Sequence, residues 1–148
     1  MRFWDSSALV LLCVEQDSSS IARKWYHSDP LLVAWWATPV ECASAVARLL
    51  REGRLDDPQA SAALARVDAL SRDWIEVMPT SQLRSRAARL LAVHVLRAAD
   101  ALQLAAALSW TAADPGGVDF VTADAQLERA ARLEGFTLWN PHEPPAPS

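Results

Sequence analysis

Asp5, Glu41, Asp100 and Asp124 are spread along a chain of 148 residues, yet each stands where an apolar strand ends or a helix begins. If those ends meet, the molecule carries a cluster of carboxylates. Two unit charges about 4 Å apart repel by on the order of 4 kcal/mol at an effective dielectric of about 20. Clustered acids must therefore protonate, spread apart or take up a cation. Oxygen-only ligation of that kind suits Mg²⁺ or Mn²⁺ rather than zinc.

The elements that must position these acids can be read from pattern. Arg2-Phe3-Trp4 is a short strand ending at Asp5, and Ser6 or Ser7 is set to cap the helix that opens at Ala8. With those hydroxyls at hand, Asp5 has no evident structural duty. A helix over about 19–27 stops at Asp29-Pro30, and the unbroken apolar run Leu31 to Trp36 reads as a strand buried on both faces. Thr38-Pro39-Val40-Glu41 has the form of a helix start, Thr38 as cap and Glu41 as its capping-box partner, continuing to about Glu52.

Asp57-Pro58 opens a helix to Leu70, Trp74 to Met78 is a third strand, and an arginine-studded helix follows through about His94. The next helix, Arg97 to Ala112, carries Asp100 in its first turns and ends at the turn Asp114-Pro115-Gly116-Gly117. Phe120-Val121-Thr122 is a strand leading through Ala123-Asp124 into a helix closed by Gly135, and Phe136 to Trp139 is the last strand. Strands alternating with helices predict a three-layer α/β/α fold around a mainly parallel sheet. In such sheets ligands bind beyond the carboxyl ends of the strands, the edge on which all four acids are expected. Each acid also has an ordinary alternative: Glu41 in a capping box, Asp100 on a helix dipole, Asp124 as an N-cap. Asp119, just before the late strand, is the reserve candidate.

Composition sets limits. A hydrophobic content of 51% supports one core, read as a single domain over residues 1–140 with a proline-rich tail over 141–148. The apolar run Ala8 to Val14 is too short to cross a bilayer and lacks a basic start, so a soluble cytoplasmic chain is expected. Cys13 and Cys42 fall in apolar helical patterns without ligand spacing and read as buried thiols. His27, His94 and His142 occupy dissimilar segments, which argues against a histidine metal site or a Ser-His-Asp triad. Setting the four acids aside brings the formal charge from −4 to zero, and a cation among them would make the site attractive to phosphates. Arg84, Arg86, Arg89 and Arg97 could line a phosphate path toward Asp100, or form a solvated face. Of the seven tryptophans, the pair Trp35-Trp36 is the least suited to a core role.

Four segments carry a resemblance: Phe3-Trp4-Asp5-Ser6-Ser7-Ala8-Leu9, Thr38-Pro39-Val40-Glu41, Leu96-Arg97-Ala98-Ala99-Asp100-Ala101, and Phe120-Val121-Thr122-Ala123-Asp124 with Leu127. In order and combination they resemble PIN-domain ribonucleases of the VapC toxin type. The resemblance implies that Asp5, Glu41, Asp100 and Asp124 ligate one or two Mg²⁺ or Mn²⁺ ions, with Ser6 and Thr122 as supporting hydroxyls. It also implies endoribonuclease activity on RNA, a homodimer, and a small VapB-like antitoxin that blocks the site. The alternative is a non-catalytic PIN-like binding module whose acids hold a structural ion or a partner's arginine. Other α/β readings fit less well: a receiver domain needs a late lysine where this chain has only Lys24, and the four glycines form no phosphate loop.

Overall fold

The computed structural model describes residues 1–142 of the chain. The chain begins with β1 (Arg2–Trp4), α1 (Ser6–Cys13), α2 (Ser19–Ser28) and β2 (Leu32–Trp35), followed by α3 (Thr38–Arg51), α4 (Asp57–Ser71) and β3 (Ile75–Val77). It continues through α5 (Ser81–Val93), α6 (Ala98–Trp110), β4 (Asp119–Val121), α7 (Ala125–Leu133) and β5 (Thr137–Trp139). The five strands form one sheet in the order β3-β2-β1-β4-β5. Every pairing is parallel, with Phe3 opposite Phe120 and Trp4 opposite Val121 in the central pair.

The pleat explains the layers. Successive side chains of a strand point to opposite faces, so Phe3, Val33, Trp35 and Phe120 enter one core with residues of α5, α6 and α7. Trp4, Leu32, Ala34 and Val121 enter the other, against α1, α2 and parts of α3 and α4. Strands β1 and β2 are buried throughout, which is why their sequences show no polar alternation. Helix α6 is nearly as enclosed: Ala101, Leu104, Ala105, Ala106 and Ala107 are fully buried, the small side chains letting it lie close between the sheet and α5. This is the expected α/β/α architecture, and the element boundaries differ from the sequence reading by one or two residues.

Both cysteines are free and buried, and burial pushes the Cys13 thiol up to about 11. Packing continues through Pro141, which is buried, and His142 Nδ1 lies 2.7 Å from Ser18 Oγ. Of the tail expected over 141–148, residues 143–148 lie outside the described residues. Among the described residues no single helix is long and apolar enough to cross a membrane, and the apolar pair α5–α6 is bent by 120°.

Candidate functional site

Strand β1 hands the chain to α1 on one face of the sheet, whereas its neighbour β4 hands it to α7 on the other. Diverging connections from adjacent parallel strands open a crevice at their carboxyl ends. Asp5 and Asp124 are the first helix-capping residues after these two strands. The Asp5 N–H donates to Val121 O at 3.1 Å, which ties the two turns together.

Asp5 is 2% exposed and is itself the N-cap of α1, its Oδ1 accepting from the Ala8 N–H at 3.2 Å. The serines expected to cap that helix reach for acids instead. Ser7 Oγ lies 2.8 and 2.9 Å from the two Asp5 carboxylate oxygens. It also accepts from the Ala123 N–H at 2.9 Å and sits 3.3 Å from Thr122 Oγ1. Ser7 thus joins the β1 turn to the β4 turn. Burial drives the Asp5 carboxyl up to about 7, against the opposing effect of the Ser7 and Ala8 hydrogen bonds, with a smaller push from the Glu41 charge.

Glu41 comes from α3 and makes no capping box. Ala37 occupies the N-cap position without a side-chain bond, leaving Thr38 inside the first turn. Thr38 Oγ1 accepts from Gln103 Nε2 of α6 at 3.1 Å. Glu41 Oε2 accepts from Ser6 Oγ at 2.8 Å and from the same Gln103 nitrogen at 3.2 Å. Its carboxyl is raised, first by burial. The expected contrast between Asp5 and Glu41 is therefore reversed: Asp5 has a capping duty and Glu41 has none.

Asp100, in the first turn of α6, has a buried Oδ2 with no hydrogen-bond partner. Arg97 Nε is 3.9 Å away, too far for a hydrogen bond, on a largely exposed side chain whose charge water screens. Burial and then the Asp124 charge raise the Asp100 carboxyl. Asp124 caps α7 through the Leu127 N–H at 2.8 Å, and its own N–H donates to Thr122 Oγ1 at 3.1 Å. Glu41, Asp100 and Asp124 line one cleft of about 430 Å³ with Ser6, Ser7, Arg48 and Arg97, and Asp5 is buried beside it.

Other expected members lie elsewhere. Asp119 stands at the amino end of β4, where it accepts from Arg2 Nε at 3.1 Å, so it belongs to the opposite edge of the sheet. The arginines of α5 do not form one path, because a helix turns about 100° per residue. Arg86 donates to Ser109 Oγ at 3.0 Å, and it shares a cavity with Arg89 and Glu134 remote from the four acids. Arg84 lines a separate groove with Trp35 and Leu102. Only Arg97 of the four lines the acidic cleft. Ser7, Gln103 and Arg48 were not foreseen as site residues. Gln103 left a signal, a buried amide one helical turn after Asp100 in an otherwise apolar helix.

The donor set suits a hard divalent ion: all its atoms are oxygens, three carboxyls are raised, and Asp100 Oδ2 lacks a partner. Among the described residues no three His, Cys, Asp or Glu side chains are grouped closely enough to hold one together, let alone enclose it. Mg²⁺ does not require enclosure, since it keeps several waters and binds through one or two carboxylates. Ser7→Ala is expected to destabilise the chain by about 1–3 kcal/mol, because it orphans the Ala123 N–H and an Asp5 oxygen together. Urea denaturation measures this, and an unchanged midpoint would refute the bridging role.

The sequence model of the PIN domain matches residues 2–133. No curated protein sequence matches the chain. Among solved structures, VapC20 of Mycobacterium tuberculosis, described as a toxin that cleaves the sarcin-ricin loop, aligns with a TM-score of 0.67 at 19% identity, covering 88% of this chain and 95% of that one. FitAcB from Neisseria gonorrhoeae gives a TM-score of 0.67 at 16% identity, covering 96% and 99%. A toxin–antitoxin complex from Klebsiella pneumoniae gives 0.65 at 17% identity, covering 97% and 99%. At these identities the likeness is one of fold.

Proposed function

The chain belongs to the PIN domain family, and from that footing we propose that it is a Mg²⁺- or Mn²⁺-dependent endoribonuclease, the toxin of a toxin–antitoxin pair. The observation that carries the reading is the meeting of Glu41, Asp100 and Asp124 in one cleft beside buried Asp5, with an unpartnered Asp100 oxygen. Asp5, Glu41, Asp100 and Asp124 would hold the ion, one or two of them directly and the others through its waters. When bound, it offsets their charge, polarises the scissile phosphate and lowers the pKa of a coordinated water.

The chain's own groups divide the remaining work. Ser7 and the Ala8 N–H fix the Asp5 carboxylate, while Ser6 and Gln103 fix Glu41 from two different layers. Asp124 has Oδ1 committed to the Leu127 N–H, so Oδ2 is the atom available to orient an attacking water. Thr122 steadies that turn through the Asp124 N–H. Arg48 and Arg97, on the rim of the cleft, supply positive charge toward the RNA backbone. Attack by water with departure of the ribose 3′-oxygen, which takes up a proton, leaves a 5′-phosphate and a 3′-hydroxyl; the 2′-hydroxyl takes no part, so no cyclic phosphate forms.

The toxin assignment draws on relatives of the same fold described as toxins or toxin–antitoxin complexes, among them VapBC2 from Rickettsia felis bound to promoter DNA. It carries with it a homodimer, a small VapB-like antitoxin covering the cleft, and action in the cytoplasm. Incubating the purified chain with total RNA tests the activity. Fragments bearing 5′-phosphates should form with Mn²⁺ and be suppressed by EDTA. Intact RNA across several pools would replace the nuclease with a binding module, and 2′,3′-cyclic ends would replace the water mechanism.

A further inference from the structure

We infer that Trp36 is a stacking platform for an unpaired RNA base beside the acidic cleft, so that the substrate enters as a single strand. Trp36 is 50% exposed, whereas Trp4, Trp25, Trp35 and Trp74 are buried and Trp110 and Trp139 are partly covered. It follows the last residue of β2, at the same end of the sheet as Asp5 and Asp124. Its N–H donates to Val77 O at 3.0 Å, which extends the β2–β3 ladder by one residue and holds the backbone still. Its ring meets that of Trp35 edge-on, with centroids 6.3 Å apart and planes at 70°. A large aromatic ring is therefore held out of the core by an anchored backbone and braced from one side.

The surroundings suit a nucleic-acid strand. Val40 and Met78, both exposed, lie just after β2 and β3 and widen the apolar surface at this end. Val40 directly precedes Glu41 in the first turn of α3. The neighbouring groove, lined by Trp35, Thr80, Arg84 and Leu102, reaches the first turns of α6, where Asp100 faces the acidic cleft. Arg84 lines that groove and Arg97 the acidic cleft, so each carries the positive charge that a strand of stacked bases and phosphates requires. Bases within a duplex have no free face to offer, which restricts the contact to single strands and loops.

This inference rests on the nuclease reading, and binding separates the two. In an Asp100→Asn background with Mn²⁺, a short single-stranded oligoribonucleotide should quench tryptophan emission, and a duplex of the same sequence should not. Trp36→Ala should weaken single-strand affinity about tenfold, the loss expected when one base loses its platform. Trp36→Phe should keep most of the affinity while losing most of the quench. Equal binding by the Trp36→Ala and parent chains would overturn the inference. So would unchanged affinity with loss of a protein partner, which would make Trp36 a protein-docking residue. A wild-type chain that cuts no RNA, yet binds single strands through Trp36, would sink the nuclease and leave the stacking contact standing.

Discussion

Asp100→Asn is expected to lower metal-dependent RNA cleavage by at least about a hundredfold, with the thermal melting curve unchanged or shifted upward. Outer-shell substitutions at metal sites already cost about 10- to 100-fold, and Asp100 is proposed as a direct ligand. Its Oδ2 is buried without a hydrogen-bond partner, and its carboxyl is raised by burial and by Asp124. An asparagine there removes a charge that nothing in the protein neutralises, since the Arg97 side chain is largely exposed and beyond hydrogen-bonding distance. Loss of activity without loss of stability is the signature of a group placed for its ligand rather than for the fold. Cleavage rates and melting curves on the same preparations measure both halves. A fully active variant would remove Asp100 from the site.

The second large effect concerns Asp5 and pH. In EDTA the wild-type chain should lose stability as pH rises from about 4 to about 7, by at most about 4 kcal/mol. The sign follows from the direction of the shift. Burial raises the folded-state carboxyl from 3.8 to about 7, so the folded chain holds a proton that the unfolded chain has released. That stabilisation is complete below the unfolded value and disappears as pH passes through the folded one. Asp5→Asn removes that titrating proton while keeping an effective N-cap, and should lose clearly less over the window, the remaining fall coming from the raised Glu41 and Asp100 carboxyls. Mn²⁺ should restore wild-type stability near pH 7 and do less for Asp5→Asn, because an ion compensates the charge that burial penalises. Urea midpoints across the pH series, with and without metal, read this directly. Wild-type stability that rises over the interval would show that Asp5 is ionised without penalty.

The site is held ready by groups from four segments. Asp5 and Asp124 are locked by the helix starts they cap, Glu41 by Ser6 and Gln103, and Asp100 by little beyond its place on α6. Gln103 is central to the cross-layer contact. It is a buried residue of α6 that donates to Thr38 and Glu41 on α3, so the two helical layers are joined by hydrogen bonds at the carboxyl edge of the sheet.

Much of this was legible in the chain. The buried strand β2 showed as the unbroken apolar run Leu31 to Trp36, β4 as the short strand Phe120-Val121-Thr122, and Pro and Gly marked the helix ends. These signals are local, because backbone geometry and the burial of neighbouring side chains act over a few residues. The positions of Asp5, Glu41, Asp100 and Asp124 at element boundaries are equally local, and their shared edge follows from the parallel α/β order that the alternation of strands and helices implies.

Local pattern in the chain is thus enough for the order of the elements and the edge on which the acids fall. Tertiary structure alone decided what each acid does there. Thr38 and Glu41 have capping-box spacing, yet Gln103, sixty-odd positions along at residue 103, takes up Thr38 and shares Glu41. Ser6 and Ser7 have N-cap chemistry, yet Asp5 takes the cap and leaves both hydroxyls to the carboxylates. Asp119 and Asp124 are close in sequence, yet one strand carries them to opposite ends of the sheet. The reason is physical: a hydrogen bond goes to whichever partner folding brings within about 3 Å, and in a sheet ordered β3-β2-β1-β4-β5 those partners come from distant segments.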